Sequence, residues 1–129
     1  MDKFWKQFKS GTDIRGVASE GVAGQKINLT DEVMEKISAG FVLWLSKKAN
    51  KPADQLIISV GHDSRISASR IQAAVTRALE PAGVTVYDCG LASTPSMFMT
   101  TVDLKCDGAV QITASHHPFN RNGLKFFYP

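Results

Sequence analysis

Residues 30–49 show the clearest hydrophobic periodicity of the chain. Apolar side chains return every three or four positions, as on one face of an α-helix, at Val33, Ile37, Phe41, Trp44 and Leu45. Two acidic residues follow Thr30 and two lysines precede Asn50, an arrangement that suits the helix dipole. The pattern predicts a helix that begins after Thr30, ends before Asn50 and buries a wide apolar stripe.

Three short apolar runs follow this helix and alternate with further helical segments. Each run has the length of a buried strand: Leu56–Val60, Val84–Asp88 and Gly108–Thr113. A helix from about Ser67 to near Pro81 and a short helix with Thr94 as N-cap and Pro95 as first residue separate them. This alternation implies right-handed crossovers, so the predicted class is α/β, a three-layer α/β/α fold with a mixed, mostly parallel sheet.

The last of these runs leads into "ITASHHPFNRNGLKFF", which carries most of the polar chemistry of the chain. Residues 114–122 are too few for a parallel crossover, so "GLKFF" should return antiparallel, with Asn122 and Gly123 supplying the turn. Ser115 then follows the carboxyl end of a parallel strand, the edge where open α/β sheets place their ligands. Both ends of its loop would be held by the sheet.

Composition and charge narrow the class of protein. The 129 residues are 43% hydrophobic, which fits one domain with one core. A net charge of +3 without interleaved aromatics disfavours nucleic-acid binding but suits a small anionic ligand. The longest apolar stretch near the middle, 39–45, is too short to span a bilayer, so we expect no membrane association and a cytoplasmic location. Cys89 and Cys106 lack a CxxC spacing and receive no role.

From the residue pattern alone, the polar positions have structural alternatives. Ser115 could cap a turn, Lys125 could be a solvent-facing charge at a strand edge, and Arg15 could form an ordinary surface ion pair. The adjacent His116 and His117 diverge in extended backbone and lack a partner for a zinc site. A serine hydrolase would need a G-x-S-x-G elbow, and a nucleotide-binding module would need a glycine-rich loop; the sequence has neither.

Four stretches in order resemble the α-D-phosphohexomutases, the phosphoglucomutase and phosphomannomutase family. "TASHHPFNRNGLK" resembles the family's phosphoserine loop, TASHNP followed by NGxK. "SGTDIRG" resembles the N-terminal GTDGIRG or YDIRG segment, "VGHDSRIS" resembles VGRDSR, and "GLASTPSM" resembles the G-x-x-x-TP element. The resemblance spans nearly the whole chain.

The resemblance implies a phosphoryl shuttle between the 1- and 6-positions of a hexose phosphate. Ser115 matches the serine that carries the phosphoryl group and coordinates Mg²⁺ through it, and a hexose 1,6-bisphosphate would be the activator. Arg15 and Lys125 would balance the phosphoserine charge. Lys125 and His116 match possible acid–base groups, so the implied catalytic set is Ser115, His116, Lys125 and Arg15. Asp63 and Arg65 are expected to brace the loop rather than touch substrate.

The family has four domains, and residues 1–129 match the first, the phosphoserine-loop domain. The acidic DxDxD-type loop of the second domain does not occur in this sequence. We therefore expect a fragment of a larger mutase, which needs the remaining domains of the polypeptide and is inactive by itself. His117 and His62 depart from the family's Asn and Arg. The sugar preference stays open, and phosphoglucosamine mutase and a non-catalytic anion-binding module are the alternatives.

Overall fold

A six-stranded sheet forms the centre of the fold. The computed structural model describes residues 3–10, 13–114 and 117–128. Within them the sheet has the order β1-β2-β6-β5-β3-β4, and its strands are β1 (Lys9–Ser10), β2 (Asp13–Val17), β3 (Ile57–His62), β4 (Thr85–Leu91), β5 (Gly108–Ile112) and β6 (Arg121–Phe127).

The strand directions make this a mixed sheet. β3 lies between β4 and β5 and is parallel to both. β6 is antiparallel to β5 on one side and to β2 on the other, and β1 is antiparallel to β2. Strands β2 to β5 therefore run in one direction, with β1 and β6 opposed. The predicted antiparallel return of "GLKFF" is confirmed.

Four α-helices and two 3₁₀ turns are present in the described residues. The helices are α1 (Lys3–Lys6), α2 (Asp31–Ala49), α3 (Ala68–Leu79) and α4 (Thr94–Asp103), and the 3₁₀ turns are Ala53–Gln55 and Glu80–Ala82. The predicted limits of α2 are confirmed, because the Thr30 hydroxyl accepts a hydrogen bond from Val33 N (3.3 Å) and Asn50 ends the helix with a left-handed φ of 54°. No helix in these ranges is long and apolar enough to cross a membrane.

Helices cover both faces of the sheet. On one face, Phe41 of α2 stacks on Phe126 of β6 with ring centroids 4.4 Å apart. On the other face, the Thr101 hydroxyl of α4 lies 3.4 Å from that of Ser59 in β3. The predicted three-layer α/β/α arrangement is confirmed.

The main core lies between the sheet and the pair α2 and α3. Its fully buried members include residues from the N-terminal segment, both helices and the central strands: Phe8, Leu29, Met34, Leu45, Ile58, Ile71, Leu79, Ile112 and Leu124. Because Phe8 belongs to this core, the N-terminal segment is anchored to the same packed unit as the rest of the chain.

Several predicted boundaries are corrected by the structure. The N-cap of α4 is Ser93, not Thr94: Ser93 has extended backbone and its hydroxyl accepts from Ser96 N (3.2 Å), so Pro95 is the second helical residue. β4 continues to Leu91 because it follows β3 past a register shift. The short strands β1 and β2 were not predicted.

The sequence pattern suggested that Asn122 and Gly123 form the turn before β6. In the structure they lie inside β6 instead. Asn122 is fully buried, and its side-chain amide donates to the Ser67 hydroxyl (2.8 Å) at the start of α3. The turn itself lies earlier in the chain, where Arg121 N donates to Pro118 O (3.0 Å).

Candidate active site

The loop that carries the predicted serine is held at both of its described ends. Ser115 and His116 lie outside the described residues. Immediately before them, Thr113 N donates to Gly123 O (3.0 Å), which continues the contact between β5 and β6. Immediately after them, His117 N donates to Ala114 O (3.0 Å). The two flanks of positions 115 and 116 are therefore fixed relative to the sheet.

Arg65 holds the second flank of the loop through its forked guanidinium. Nη1 donates to Pro118 O (2.7 Å) and to Arg121 O (3.2 Å), and Nη2 donates to His117 O (2.9 Å). Three carbonyls of one short segment thus converge on a single cation. Arginine suits this position because it presents several donors in a fixed plane.

Asp63 connects this arginine to the first flank of the loop. Its Oδ1 accepts from Arg65 N (3.1 Å), and its Oδ2 accepts from the Thr113 hydroxyl (2.8 Å) and lies 3.5 Å from Arg65 Nε. These contacts agree with the expectation that Asp63 and Arg65 brace the loop. They tie the ends of β3 and β5 to the start of β6.

Arg15 lies on β2 at the level of the loop. Its Cα partner across the strand pair is Gly123, the same residue whose carbonyl receives Thr113 N–H. The side chain is only 3% exposed, and Nη1 donates to Ile14 O (2.8 Å). Arg15 packs directly over Gly123, where a Cβ would come within 2.9 Å of Arg15 Cδ and Nη1.

Asp13 joins Arg15 to Lys125. The register pairs Ile14 with Leu124 and Arg15 with Gly123, so one step further it places Asp13 opposite Lys125. Asp13 Oδ2 is 3.4 Å from Arg15 Nη2 and 3.6 Å from Lys125 Nζ. The two predicted cations are thus brought to one carboxylate. Asp13 was not among the residues predicted from the sequence, although its spacing of two residues from Arg15 would place both on one strand face.

Burial and neighbouring charges act together on Arg15. Burial is the largest influence and lowers the pKa of its guanidinium; Asp13 opposes this, while Arg65 and Arg121 lower the pKa further. An arginine nevertheless stays cationic in a protein. The edge of the sheet beside the loop therefore carries four cations and two carboxylates: Arg15, Arg65, Arg121 and Lys125, with Asp13 and Asp63. We call it the cationic edge. Its excess of positive charge favours the binding of an anion.

A cavity of about 550 Å³ opens beside the loop and provides room for a small molecule. Its lining combines the bracing pair with two exposed apolar side chains, and consists of Asp63, Ser64, Arg65, Ile66, His117 and Phe119. His62 lines a different groove, together with Asp88 and Arg77. Its Nδ1 donates to Asp63 O (2.7 Å). Of the two departures from the expected pattern, His117 is therefore the one that faces this cavity.

The described residues do not by themselves assemble a metal site. No group of three or more His, Cys, Asp or Glu side chains in residues 3–10, 13–114 and 117–128 could hold a metal ion. Ser115, the predicted metal ligand, lies outside these ranges, so its role stays a prediction.

The chain matches a known family model over almost its whole length. Residues 6–129 match the model described as phosphoglucomutase/phosphomannomutase, alpha/beta/alpha domain I. This range includes all four of the sequence stretches that suggested the family.

Curated relatives and solved structures agree with this match. Phosphoglucosamine mutases of Campylobacter fetus and Leuconostoc mesenteroides are 37% and 35% identical over 117 and 118 residues, 91% of this chain and 24% of each relative. A phosphoglucomutase/phosphomannomutase family protein of Burkholderia thailandensis is 25% identical, with a TM-score of 0.69 over 90% of this chain and 24% of that chain. A candidate phosphomannomutase of Thermus thermophilus is 25% identical, with a TM-score of 0.74 over 94% of this chain and 25% of that chain. The chain thus spans about a quarter of the length of these proteins.

Proposed function

The chain belongs to the phosphoglucomutase/phosphomannomutase family as its alpha/beta/alpha domain I, and from this premise we propose that it is the phosphoserine domain of a hexose-phosphate mutase. In the proposed reaction the phosphoryl group of Ser115 passes to one hydroxyl of a hexose monophosphate. The resulting bisphosphate reorients and returns its other phosphoryl group to Ser115. The observation that carries the proposal is the cationic edge around a loop that is held at both ends.

The charges at this edge suit a phosphoserine. Such a group carries roughly −1.5 to −2 charges near neutral pH, and needs cations and N–H donors around it. Arg15 is buried at the level of Thr113, two residues before Ser115, and its side chain cannot leave easily because it is packed over Gly123. In our proposal its guanidinium stabilises the phosphoryl oxygens.

Proton transfer to and from the sugar hydroxyl is assigned to Lys125 and His116. Lys125 is one-third exposed at its side chain and lies beside Arg15 through Asp13. A positioned acid–base group contributes roughly 10²- to 10⁴-fold to a rate. The remaining barrier lowering in a phosphoryl transfer comes mainly from positioning and charge stabilisation.

Mg²⁺ belongs to the proposal as a cofactor of the whole enzyme. It would neutralise the phosphoserine charge when bound, with the Ser115 phosphoryl group as one ligand. No group of three or more His, Cys, Asp or Glu side chains in the described residues could hold a metal ion, and in our proposal the other ligands come from outside them. The remaining domains of a four-domain polypeptide are the proposed source, and are also the proposed partners of this domain in holding the sugar.

Glucosamine phosphate is the second substrate candidate, beside the glucose and mannose phosphates of the primary interpretation. The observation in its favour is that the curated relatives at 35–37% identity carry the name phosphoglucosamine mutase. His117 faces the cavity beside the loop and departs from the family's usual Asn, so it is a natural position at which to compare the three sugars.

Peptide mapping of the phosphoprotein tests the central assignment. A longer polypeptide that carries residues 1–129, incubated with a hexose 1,6-bisphosphate and Mg²⁺, should bear phosphate on Ser115 and interconvert hexose 1- and 6-phosphates. Ser115→Ala should abolish both, whereas Ser64→Ala, at the neighbouring cavity wall, should keep the phosphate on Ser115. Phosphate on Thr113 or Ser64 with Ser115→Ala still active would refute the proposal. Labelling of Ser115 by a fluorophosphonate without phosphoryl transfer would favour a hydrolase instead.

A further inference from the structure

Asp13 is the shared counter-ion of the two cations to which the proposed mechanism assigns separate tasks. One carboxylate oxygen, Oδ2, lies 3.4 Å from Arg15 Nη2 and 3.6 Å from Lys125 Nζ. The contact crosses from β2 to β6, because the register places Asp13 opposite Lys125. Oppositely charged residues in such a cross-strand position attract each other directly.

The two cations differ in how firmly they are otherwise held. Arg15 is 3% exposed and is also fixed by its bond to Ile14 O and by its packing over Gly123. The Lys125 side chain is 33% exposed and carries its ammonium group on a flexible four-carbon stem. Without a carboxylate between them the two like charges would repel, and Lys125 would be the one to move away.

We propose that Asp13 is a positioning residue that holds Lys125 beside Arg15 and is the anion with which an incoming phosphoryl group competes. The inference rests on the proposed function for the tasks of the two cations, but the competition itself is a property of this chain. While the site holds no phosphoryl group, Asp13 neutralises part of the cationic edge. When a phosphoryl dianion arrives, it takes over the donors of Arg15 and Lys125, and Asp13 then limits how tightly the phosphoryl group is retained.

Inorganic phosphate binding by the chain itself tests the competition. In isothermal titration calorimetry, Asp13→Asn should bind phosphate about 3- to 10-fold more tightly than wild type, because a repulsive charge next to the anion is removed. The matched control is Glu32→Gln, which makes the same change in net charge at an exposed pair with Lys36 (3.0 Å). It should leave phosphate binding unchanged. Circular dichroism of each variant verifies that it is folded.

The same measurement in a Lys125→Gln background shows whether the effect of Asp13→Asn on phosphate affinity depends on Lys125. In the wild-type background Asp13→Asn frees both Arg15 and Lys125, and the phosphate dianion attracts the released Lys125 ammonium. With Lys125 replaced, only Arg15 is freed, so the gain in phosphate affinity should shrink. If Asp13→Asn matches Glu32→Gln to within about twofold, binds phosphate more weakly than wild type, or shows the same gain with and without Lys125, the proposal is overturned.

Kinetics of the longer polypeptide test the positioning role. Asp13→Asn should lower kcat about 10-fold or more and leave the KM for hexose phosphate nearly unchanged, since Lys125 would be misplaced and substrate contacts kept. The double variant with Lys125→Gln should be no slower than Lys125→Gln alone. Losses that multiply would overturn the positioning role. A wild-type polypeptide without mutase turnover would refute the proposed function, while the phosphate measurement would still decide whether Asp13 competes.

Discussion

At the scale of single residues, Gly123 determines where Arg15 can lie. The two are Cα partners across β2 and β6, and the Arg15 side chain fills the space that a Cβ at position 123 would need. A Cβ there would also overlap the carbonyl oxygen of Ile14, which accepts a hydrogen bond from Arg15 Nη1. The glycine serves close packing of a cation against backbone rather than a turn.

Gly123→Ala should therefore damage both stability and the anion site. The methyl group must displace backbone or the buried guanidinium, so we expect a loss of about 2 kcal/mol or more in the free energy of unfolding and weaker phosphate binding. Gly40→Ala is the matched control, because nothing lies within 4 Å of its Cβ position in α2, and the change should stabilise the helix slightly. Urea denaturation measures both variants. Equal stability of the two would contradict the packing argument.

Arg65→Lys tests whether the loop depends on the forked guanidinium. A lysine keeps the charge but cannot reach Pro118 O, Arg121 O and His117 O together, so we expect a loss of about 2 kcal/mol and faster amide exchange in residues 117–121. Arg77→Lys, at a half-exposed ion pair with Glu35, serves as control and should change neither quantity. Unaltered exchange in residues 117–121 of Arg65→Lys would show that the brace is not needed.

The site was only partly predictable from the sequence, for a physical reason. Arg15 and Lys125 could be selected through their motifs, and the structure brings them to one carboxylate. Asp13 was missed because its role depends on the register of β2 against β6, which local patterns do not show. Asn122 and Gly123 have the composition of a turn, but their burial against Ser67 and Arg15 overrides that local preference.

At the scale of secondary structure elements, periodic segments were predicted well and short polar ones were not. Helix α2 has nineteen residues and a wide apolar stripe, so its limits were visible in the sequence. β2, "DIRGV", has only five residues, too few for a clear alternating pattern, and β1 has two. β2 owes its conformation to pairing with β6, a contact distant in sequence, and β1 in turn pairs with β2 next to the buried Phe8.

The corrected start of α4 leads to a direct test by substitution. Ser93→Ala removes the hydroxyl that accepts from Ser96 N, so it should cost about 1 kcal/mol in the free energy of unfolding. Thr94→Ala, one position later, should cost much less because Thr94 is the first helical residue and not the cap. Thermal or urea unfolding of the two variants compares them. A larger loss for Thr94→Ala would restore the boundary that the sequence suggested.

At the scale of the whole molecule, the N-terminal segment and the α/β layers share one core. Phe8 is completely buried in the cluster that includes α2, α3 and the central strands. Its carbonyl accepts from Arg15 N (2.7 Å), which links the segment to β2 and through it to β6. The residues that hold the candidate site, on β2 and β6, therefore depend on the same packing as the helices.

The two tryptophans of the chain can show whether this unit unfolds in one step. Trp5 packs against the core from the N-terminal segment, and Trp44 lies on α2, 5.2 Å from the Tyr128 ring. Trp44→Phe leaves Trp5 as reporter, and Trp5→Phe leaves Trp44. In each variant we expect the fluorescence transition in urea to coincide with the loss of far-UV circular dichroism. Loss of the Trp5 signal at lower urea would instead show that residues 3–10 detach first, and with them the hydrogen bond between Arg15 N and Phe8 O.

Coincident transitions would also be seen if the N-terminal segment and the rest of the domain unfolded separately with equal stability. Phe8→Ala distinguishes this case from a shared core. Removing a fully buried aromatic ring costs about 3–5 kcal/mol, and Phe8 is 0% exposed. If the core is shared, the transitions of both tryptophan reporters and of the circular dichroism should move together to lower urea. Each should give the same loss in the free energy of unfolding. If only the Trp5 signal shifts while Trp44 keeps its midpoint, residues 3–10 form an independent unit. Arg15 would then be kept in place by the pairing of β2 with β6 alone.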